Sequence, residues 1–344
     1  MIDSRSMNRS GFTMVDLIGG IVLFAVFLFS CLAATANLDN QRNRVRCASN
    51  LRQIGQAILL YSNDSKGPYP RTKYDVSQAD HPTAYTGVDS NDPFSPACPQ
   101  VNDVSAALFL LLRTEDVTSA VFICPATGLK PDDYGGGTHT FREKANFPSA
   151  QTLSYSYADP YPSEAAAAKG YGLNQGLDAE FVLVADMNPG TGALTQLTLH
   201  STAAEMRNGN SNNHSGDGQN VLYADGHVEF QNNPFCGMGR DNIYTYGASG
   251  THANGGGGTG IFGSPVDMND SVLLPAAIMA TASPVSIAAA TDNAPVAAAP
   301  IAPVDQGTDF TTYAVISAGA FLLILLGALA MVFLGKRKSA RDLP

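Results

Sequence analysis

Three side chains with oxygen ligands lie close together in a glycine-rich part of the sequence. Asp217, Asn220 and Asp225 all occur within residues 217–225. Carboxylate and amide oxygens are the ligands that Ca²⁺ prefers in proteins, although this spacing does not match the loop of an EF-hand. We therefore treat the three residues as a candidate calcium site, and we expect no other cofactor.

Histidines offer a second kind of chemistry in the same part of the chain. His200, His214 and His227 would bind a transition metal if the fold gathered them, but histidines beside turns are more often structural residues held by hydrogen bonds. Ser215 and Asp217 flank His214 closely, yet neighbours in sequence do not by themselves form a catalytic triad. No Gly-x-Ser-x-Gly motif occurs either. We predict that the protein is not an enzyme.

The five cysteines favour an oxidising compartment. Cys31 lies inside an apolar run, whereas Cys47, Cys98, Cys124 and Cys236 form an even set. Four cysteines allow three pairings, and the residues alone do not choose among them. No C-x-x-C pair occurs, which argues against a structural zinc site.

The candidate ligands lie in a predicted β-hairpin. Residues 221–223 form its first strand, and Asp225 with Gly226 supplies a turn that needs positive φ. Val228 and Phe230 begin the return strand.

Other apolar runs predict further elements. Their pattern indicates strands at 121–125, 154–157 and 180–186, and a helix at 104–112 that begins at Asp103 or Ser105. Asp186, at the end of one strand, is either a cap of the next turn or a metal ligand, and we favour the cap.

The N-terminal region is predicted to form one long helix. Residues 17–36 carry no charge and are numerous enough to span a bilayer. Residues 37–61 contain no proline and place apolar side chains on one helical face, namely Cys47, Leu51, Ile54, Ile58 and Tyr61. We expect the first half in the membrane and the second half on a folded domain. A core helix behind a cleaved signal peptide is the alternative.

The C-terminal region predicts a second membrane anchor. Residues 275–311 are rich in alanine and proline, which predicts a linker. Residues 312–335 form an uncharged apolar run that is long enough to span a bilayer. Residues 336–344 are basic, which places that end in the cytoplasm. The formal net charge of −10 argues against nucleic acid as a partner.

The start of the chain resembles the prepilin peptidase site of type IV pilins and type II secretion pseudopilins. Gly11-Phe12-Thr13 precedes the apolar helix, as in that family. The resemblance implies cleavage after Gly11 and an N-methylated Phe12. Asp16 stands where the family usually has glutamate, and it would pair with the amino terminus of a neighbouring subunit.

Two further segments resemble the prepilin-like proteins of planctomycete-type bacteria. One is residues 46–55, and the other is 213–230, which is similar to the His-x9-Asp-Gly (H-X9-DG) segment of that family. Here ten residues separate His214 from Asp225 and Gly226.

The same resemblance bears on the disulfide and on calcium. Family members carry a Cys-Pro after a short apolar strand, as Cys124-Pro125 does here, and this favours a bridge from Cys47 to Cys124. Some secretion pseudopilins hold calcium in a C-terminal loop, which supports the candidate calcium site.

The resemblance implies a pilin-like α+β fold, in which a long N-terminal helix packs on a small antiparallel β-sheet and a C-terminal transmembrane helix follows. The expected segments are a leader (1–11), the helix (12–66), an extracytoplasmic domain (67–274), the linker (275–311), the second span (312–335) and a basic tail (336–344). The expected location is the cytoplasmic (inner) membrane.

The implied function is that of a pseudopilin, a subunit or minor component of a type II secretion or type IV pilus-like assembly. Its partners would be the membrane, a prepilin peptidase and other pilin-like subunits. The alternative is an extracytoplasmic binding or surface protein, anchored in the membrane at both ends, that does not polymerise.

Overall fold

The computed structural model describes residues 14–96 and 99–281, and its longest element is an N-terminal helix. This helix, α1 (Met14–Asp64), has 51 residues. It ends in a Schellman motif, where the Gly67 N–H donates to the Ser62 carbonyl (2.7 Å) and the Lys66 N–H donates to the Asn63 carbonyl (3.4 Å). Lys66 takes the left-handed conformation, with φ of 63°, that this motif requires.

The described residues also contain three shorter α-helices and seven strands, with short 3₁₀ helices between them. The helices are α2 (Val104–Thr114), α3 (Glu164–Ala168) and α4 (Ala203–Arg207). The strands are β1 (Tyr155–Ala158), β2 (Val182–Asp186), β3 (Gln219–Tyr223), β4 (Val228–Gln231), β5 (Ser249–Gly250), β6 (Gly256–Gly257) and β7 (Leu273–Leu274).

Five of the strands form one antiparallel sheet in the order β4-β3-β2-β1-β7. Strands β5 and β6 pair separately. The predicted hairpin is confirmed, since β3 and β4 pair across the turn at Asp225 and Gly226, where Gly226 has φ of +87°. The predicted strands at 154–157 and 180–186 are also confirmed, as β1 and β2.

The second half of α1 packs on this sheet. Cys47, Leu51, Ile54 and Ile58 are fully buried, and Tyr61 packs at the edge of the same core. Helix and sheet approach closely at Gly55, where a Cβ atom would lie 3.1 Å from the side chain of Leu222 in β3. Glycine inside a helix costs about 0.5–1 kcal/mol relative to alanine, and here it permits the close approach.

Helix α2 packs against α1 and β1 in the same core. The Asp103 carboxylate caps it by accepting from the Ala106 N–H at 2.8 Å, and residues 104–112 are buried. This confirms the helix predicted at 104–112, with Asp103 as its N-cap.

The segment predicted as a strand at 121–125 is not one. Residues Ser119–Phe122 form a 3₁₀ turn, because the N–H groups of Val121 and Ile123 bond to carbonyls three residues back. Val121, Phe122 and Cys124 are still buried. A short apolar run indicates burial without fixing the backbone conformation.

The predicted fold class needs correction. The described chain combines one long helix and several short ones with a five-stranded and a two-stranded antiparallel sheet. Within the described residues, no helix has both the length and the apolar character needed to cross a bilayer. The expected pilin-like fold with membrane-spanning helices is therefore wrong, and so is the expected inner-membrane location.

Several predicted segments lie outside the described residues. They are the leader (1–11) with Gly11 and Phe12, most of the linker (275–311), the second span (312–335) and the basic tail (336–344).

Candidate functional site

A buried disulfide ties α1 to the rest of the domain. Cys47 on α1 and Cys124, which follows the 3₁₀ turn, are bonded with their Cα atoms 5.2 Å apart. Both residues are fully buried. This is the pairing preferred from the sequence. One helical turn further on, Asn50 Nδ2 donates to the Ile123 carbonyl (2.9 Å) and to the Tyr155 hydroxyl (3.2 Å).

A buried carboxylate and histidine lie against this disulfide. Asp186 ends β2 and His214 ends a short 3₁₀ turn, with Asp186 Oδ2 and His214 Nε2 3.3 Å apart and both side chains fully buried. Asp186 Oδ1 accepts from Asn213 Nδ2 (2.9 Å), and Oδ2 accepts from the Asn220 N–H (2.6 Å). Asp186 thus binds the segment that leads into β3 instead of capping the turn that follows β2.

The His214 ring is held from several sides. Its Nε2 lies 3.7 Å from Cys124 Sγ and 3.1 Å from Asn220 Nδ2. Phe230 packs against the ring edge to face, with centroids 5.7 Å apart, and the Arg44 guanidinium lies 4.0 Å from the Phe230 centroid. His214 Nδ1 is buried without a hydrogen-bond partner among the described residues.

Together these residues form a set of potential metal ligands, which we call the disulfide cluster: Cys47, Cys124, Asp186 and His214. One ligand atom from each lies within 4.8 Å of the others, and all four residues are buried. With the disulfide closed, the sulfurs are bonded to each other and are not thiolate ligands. In this state the cluster links α1, the sheet and the segment before β3.

Burial also affects a tyrosine beside the cluster. Burial, and next the charge of Asp186, raises the pKa of the Tyr155 hydroxyl well above its usual value. The hydroxyl therefore stays protonated and neutral in the folded protein.

No pattern in the sequence places these four residues together. Asp186, His214 and the cysteines are candidates separately, and the lack of a C-x-x-C pair argues against zinc. The bridged cysteines are 77 residues apart in the chain. The one sequence feature that pointed toward this cluster was the position of Asp186 at the end of a predicted buried strand.

The candidate calcium ligands are not brought together. Asp217 pairs with Arg44 (3.1 Å) and Arg207 (2.8 Å), while Asn220 binds Asp186. Asp225 lies beyond the far end of β3, and a strand rises about 3.4 Å per residue, so β3 separates it from Asp217 by more than about 15 Å. The structure therefore gives no support to the calcium site.

The three histidines do not meet either. His227 stacks on Tyr223 with centroids 4.3 Å apart and contacts Asp225 at 2.6 Å, and His200 is exposed. Across the described part of the chain, the disulfide cluster is the one group of three or more His, Cys, Asp or Glu residues in metal-binding range.

The remaining predicted residues have separate positions. Cys236 is a free thiol, and burial raises its pKa well above the usual value, so it is not an activated nucleophile. Cys98 lies outside the described residues, as do Gly11 and Phe12. Asp16 lies in the first turn of α1.

The first half of α1 forms an exposed apolar surface, which we call the N-terminal helix surface. Its members have side chains that are at least 42% exposed: Met14, Val15, Leu17, Ile21, Leu23, Phe24, Val26, Phe27, Leu28 and Phe29. Exposed apolar areas larger than a few hundred Å² mark interaction sites in most soluble proteins. This surface is the second candidate functional feature of the molecule.

Comparison with known proteins identifies no relative of this chain: no family model, no curated protein and no solved structure matches it.

Removal of the Asp186 carboxylate is expected to destabilise the fold. Asp186→Ala removes the acceptor of one N–H of Asn213 Nδ2 and of the Asn220 backbone N–H, and each unpaired buried donor costs about 1–3 kcal/mol. We expect urea denaturation to show a loss of about 2–5 kcal/mol in the free energy of unfolding. Asp225→Ala is the matched control at the exposed hairpin turn and should cost less than about 1 kcal/mol. Equal effects of the two variants would contradict the assigned role of Asp186.

A second buried polar cluster makes stability depend on pH. Burial raises the pKa of Asp270 to about 7, against the lowering effect of the Gly247 and Val266 N–H groups. Burial, and next the charge of Asp270, raises the pKa of Asp241 well above its usual value. Because the folded state holds these protons more tightly than the unfolded chain does, their stabilising contribution is complete below about pH 4, the usual pKa of an aspartate. It is lost as the pH rises through about 7.

We therefore expect the free energy of unfolding to fall between pH 5 and pH 8, by about 2–4 kcal/mol. Asp270→Asn should decrease this dependence, whereas Asp116→Asn, at an exposed position, should leave it unchanged. Urea denaturation at the two pH values measures the effect. A stability that is equal at both values in the unmodified protein would contradict this prediction.

Proposed function

We propose that this protein is a structural subunit that assembles with copies of itself and with similar subunits through the first half of α1. The observation that supports this proposal is the difference between the two halves of the helix. The second half buries Cys47, Leu51 and Ile54 in the domain, whereas the first half leaves large apolar side chains exposed. The proposal involves assembly and no catalysis.

The domain holds α1 firmly at the base of this surface. The disulfide and the Asn50 hydrogen bonds fix the helix where it enters the core. The helix is continuous from Met14 to Asp64, so the N-terminal helix surface is part of the same rod. A helix anchored at one end can present its other half to a partner with little loss of conformational entropy on binding.

The distribution of the apolar residues favours other helices as partners. Phe27, Leu28 and Phe29 are all exposed and point in different directions, because successive residues in a helix are rotated by about 100°. A groove on a single partner covers one face of a helix, whereas a bundle of neighbouring helices covers all of them. Copies of α1 supply such a bundle, with axes about 8–10 Å apart.

The energetics are sufficient for assembly. Full burial of a Val, Leu, Ile or Phe side chain is worth about 1.5–3 kcal/mol, and the N-terminal helix surface contains ten partly or largely exposed apolar residues. Part of this gain offsets the entropy lost on association. The remainder is large enough for a stable multi-subunit assembly.

The resemblance to prepilin-type proteins supports the same function. Under this proposal, a prepilin peptidase cuts after Gly11 and Phe12 becomes the methylated N-terminus. Asp16, in the first turn of α1, then neutralises the amino terminus of a neighbouring subunit. The alternative of a surface protein anchored at both ends depends on the apolar run at 312–335, which lies outside the described residues.

Assembly of the full chain tests the proposal. The double variant Leu23→Gln/Phe27→Gln changes two side chains of the N-terminal helix surface, which are 73% and 63% exposed. The control is Leu60→Gln, which changes a side chain in the second half of α1 that is 55% exposed. Sedimentation velocity should show large assemblies for the unmodified chain and the control, and monomers for the double variant. Unchanged assembly of the double variant would contradict the proposal.

N-terminal mass spectrometry tests the processing step separately. The expected mature protein begins with methylated Phe12. An intact Met1, or a cut near Ala36, would contradict prepilin-type processing.

A further inference from the structure

We infer that the disulfide cluster binds one zinc ion when the Cys47–Cys124 bond is reduced. The ligands are the two thiolates, His214 Nε2 and an oxygen of Asp186. This inference does not depend on the proposed assembly, because it concerns the core of the domain and not the N-terminal helix surface.

Two of the six distances between the ligand atoms already match tetrahedral zinc coordination. Zinc bonds of about 2.3 Å to sulfur and about 2.0–2.2 Å to nitrogen and oxygen place sulfur and nitrogen ligands about 3.6 Å apart, and nitrogen and oxygen ligands about 3.4 Å apart. Cys124 Sγ lies 3.7 Å from His214 Nε2, and His214 Nε2 lies 3.3 Å from Asp186 Oδ2. Two of the ligand edges are therefore in place before the disulfide opens.

The remaining adjustment is small. Two thiolates on one zinc ion lie about 3.8 Å apart, which follows from the same bond lengths. The Cα atoms of Cys47 and Cys124 are 5.2 Å apart, and we infer that rotation of the two side chains about χ1 separates the sulfurs to this distance.

Hydrogen bonds hold the Asp186 ligand in place. Asn213 Nδ2 and the Asn220 N–H donate to its carboxylate, while Phe230 packs against the His214 ring. Hydrogen bonds of this kind orient a metal ligand and are worth about 10–100-fold in metal affinity. All four ligands are buried, so water does not compete for the coordination positions.

The type of ligand selects the metal. Thiolate and imidazole favour zinc, whereas calcium prefers oxygen ligands alone. Zinc is also redox-inactive, so its binding does not reoxidise the thiols.

The chemical steps balance when the reductant is a dithiol. One thiolate of the dithiol attacks a sulfur of the Cys47–Cys124 bond, and the second completes the exchange, so that the dithiol becomes a disulfide. Two electrons and two protons pass to Cys47 and Cys124. Zinc then replaces the two thiol protons, which go to solvent. The metal takes over the link that the disulfide provided between α1 and the 3₁₀ turn.

Cobalt titration of the full chain tests this inference. The chain is reduced without oxygen, the reductant is removed, and Co²⁺ is added as a spectroscopic substitute for Zn²⁺. We expect one Co²⁺ per chain with the intense visible absorption of tetrahedral thiolate coordination, and displacement by one equivalent of Zn²⁺. The oxidised chain should show no such absorption.

Substitutions identify the ligands. Cys124→Ser and His214→Gln should each weaken Co²⁺ binding by at least about 100-fold. Cys236→Ser is the matched control at the free thiol and should bind Co²⁺ as the unmodified chain does. Zn²⁺ should also raise the Tm of the reduced chain and leave the Tm of the oxidised chain unchanged.

Several results would overturn the inference. One is a reduced, folded chain without the cobalt absorption, and another is absorption that persists in Cys124→Ser or disappears in Cys236→Ser. The reduced unmodified chain needs no substitution, so it decides the question even if a variant fails to fold. If reduction unfolds the unmodified chain and Zn²⁺ does not restore its structure, the inference is wrong.

Discussion

Cys124→Ser is expected to lower the free energy of unfolding by about 4.5 kcal/mol. The bridge to Cys47 closes a loop with a sequence separation of 77, and the loop-closure entropy of the unfolded chain sets this magnitude. The bridge also joins α1 to the 3₁₀ turn, and no strand pairing links these two elements. Urea denaturation without metal measures the effect, with far-UV circular dichroism as the signal.

Cys236→Ser is the control for this prediction. Cys236 forms no disulfide, so the variant should lose less than about 1 kcal/mol. If Cys124→Ser were no less stable than the control, the bridge would not stabilise the folded domain as predicted.

Leu51→Ala is expected to cost about 2–5 kcal/mol of unfolding free energy, because it opens a cavity between α1 and the sheet. Leu51 is fully buried, whereas Leu60, on the same helix, is 55% exposed. Leu60→Ala is therefore the matched control and should change stability by less than about 1 kcal/mol. Equal losses in the two variants would mean that α1 docks on the sheet with a different face.

The local elements of the domain were predictable from the sequence, because each depends on residues close together in the chain. Asp103 before an apolar run predicts the start of α2, and Asp225-Gly226 between alternating residues predicts the hairpin. The spacing of Cys47, Leu51 and Ile54 predicts the buried face of α1, and all three side chains are buried.

The features that depend on distant contacts were not predictable in the same way. The run around Phe122 indicates burial, but its backbone is set by a turn packed between α1 and β1. Asp186 and His214 meet only because antiparallel pairing brings the end of β2 beside the start of β3. Asp217 and Asp225 are close in sequence, yet β3 extends between them and keeps them apart.

The expected membrane span at 17–36 fails for a related reason. Apolar composition over 17–36 predicts that a helix avoids water, but it does not say what covers that helix. Composition alone does not distinguish a helix that is covered by lipid from one that is covered by neighbouring helices. The structure leaves the N-terminal helix surface exposed, and we propose that copies of the same helix cover it.

Photo-crosslinking from α1 tests the central claim most directly. A photoreactive amino acid replaces Phe24 on the N-terminal helix surface, and a matched sample carries it in place of Leu60. Full-length chains labelled with ¹⁴N and ¹⁵N are mixed before assembly, so that mass spectrometry separates crosslinks between copies from crosslinks within one copy. We predict mixed-isotope crosslinks from position 24 to residues 14–29 of another copy, and few from position 60. If position 24 gives no crosslinks between copies, or no more than position 60, α1 is not the assembly element of this protein.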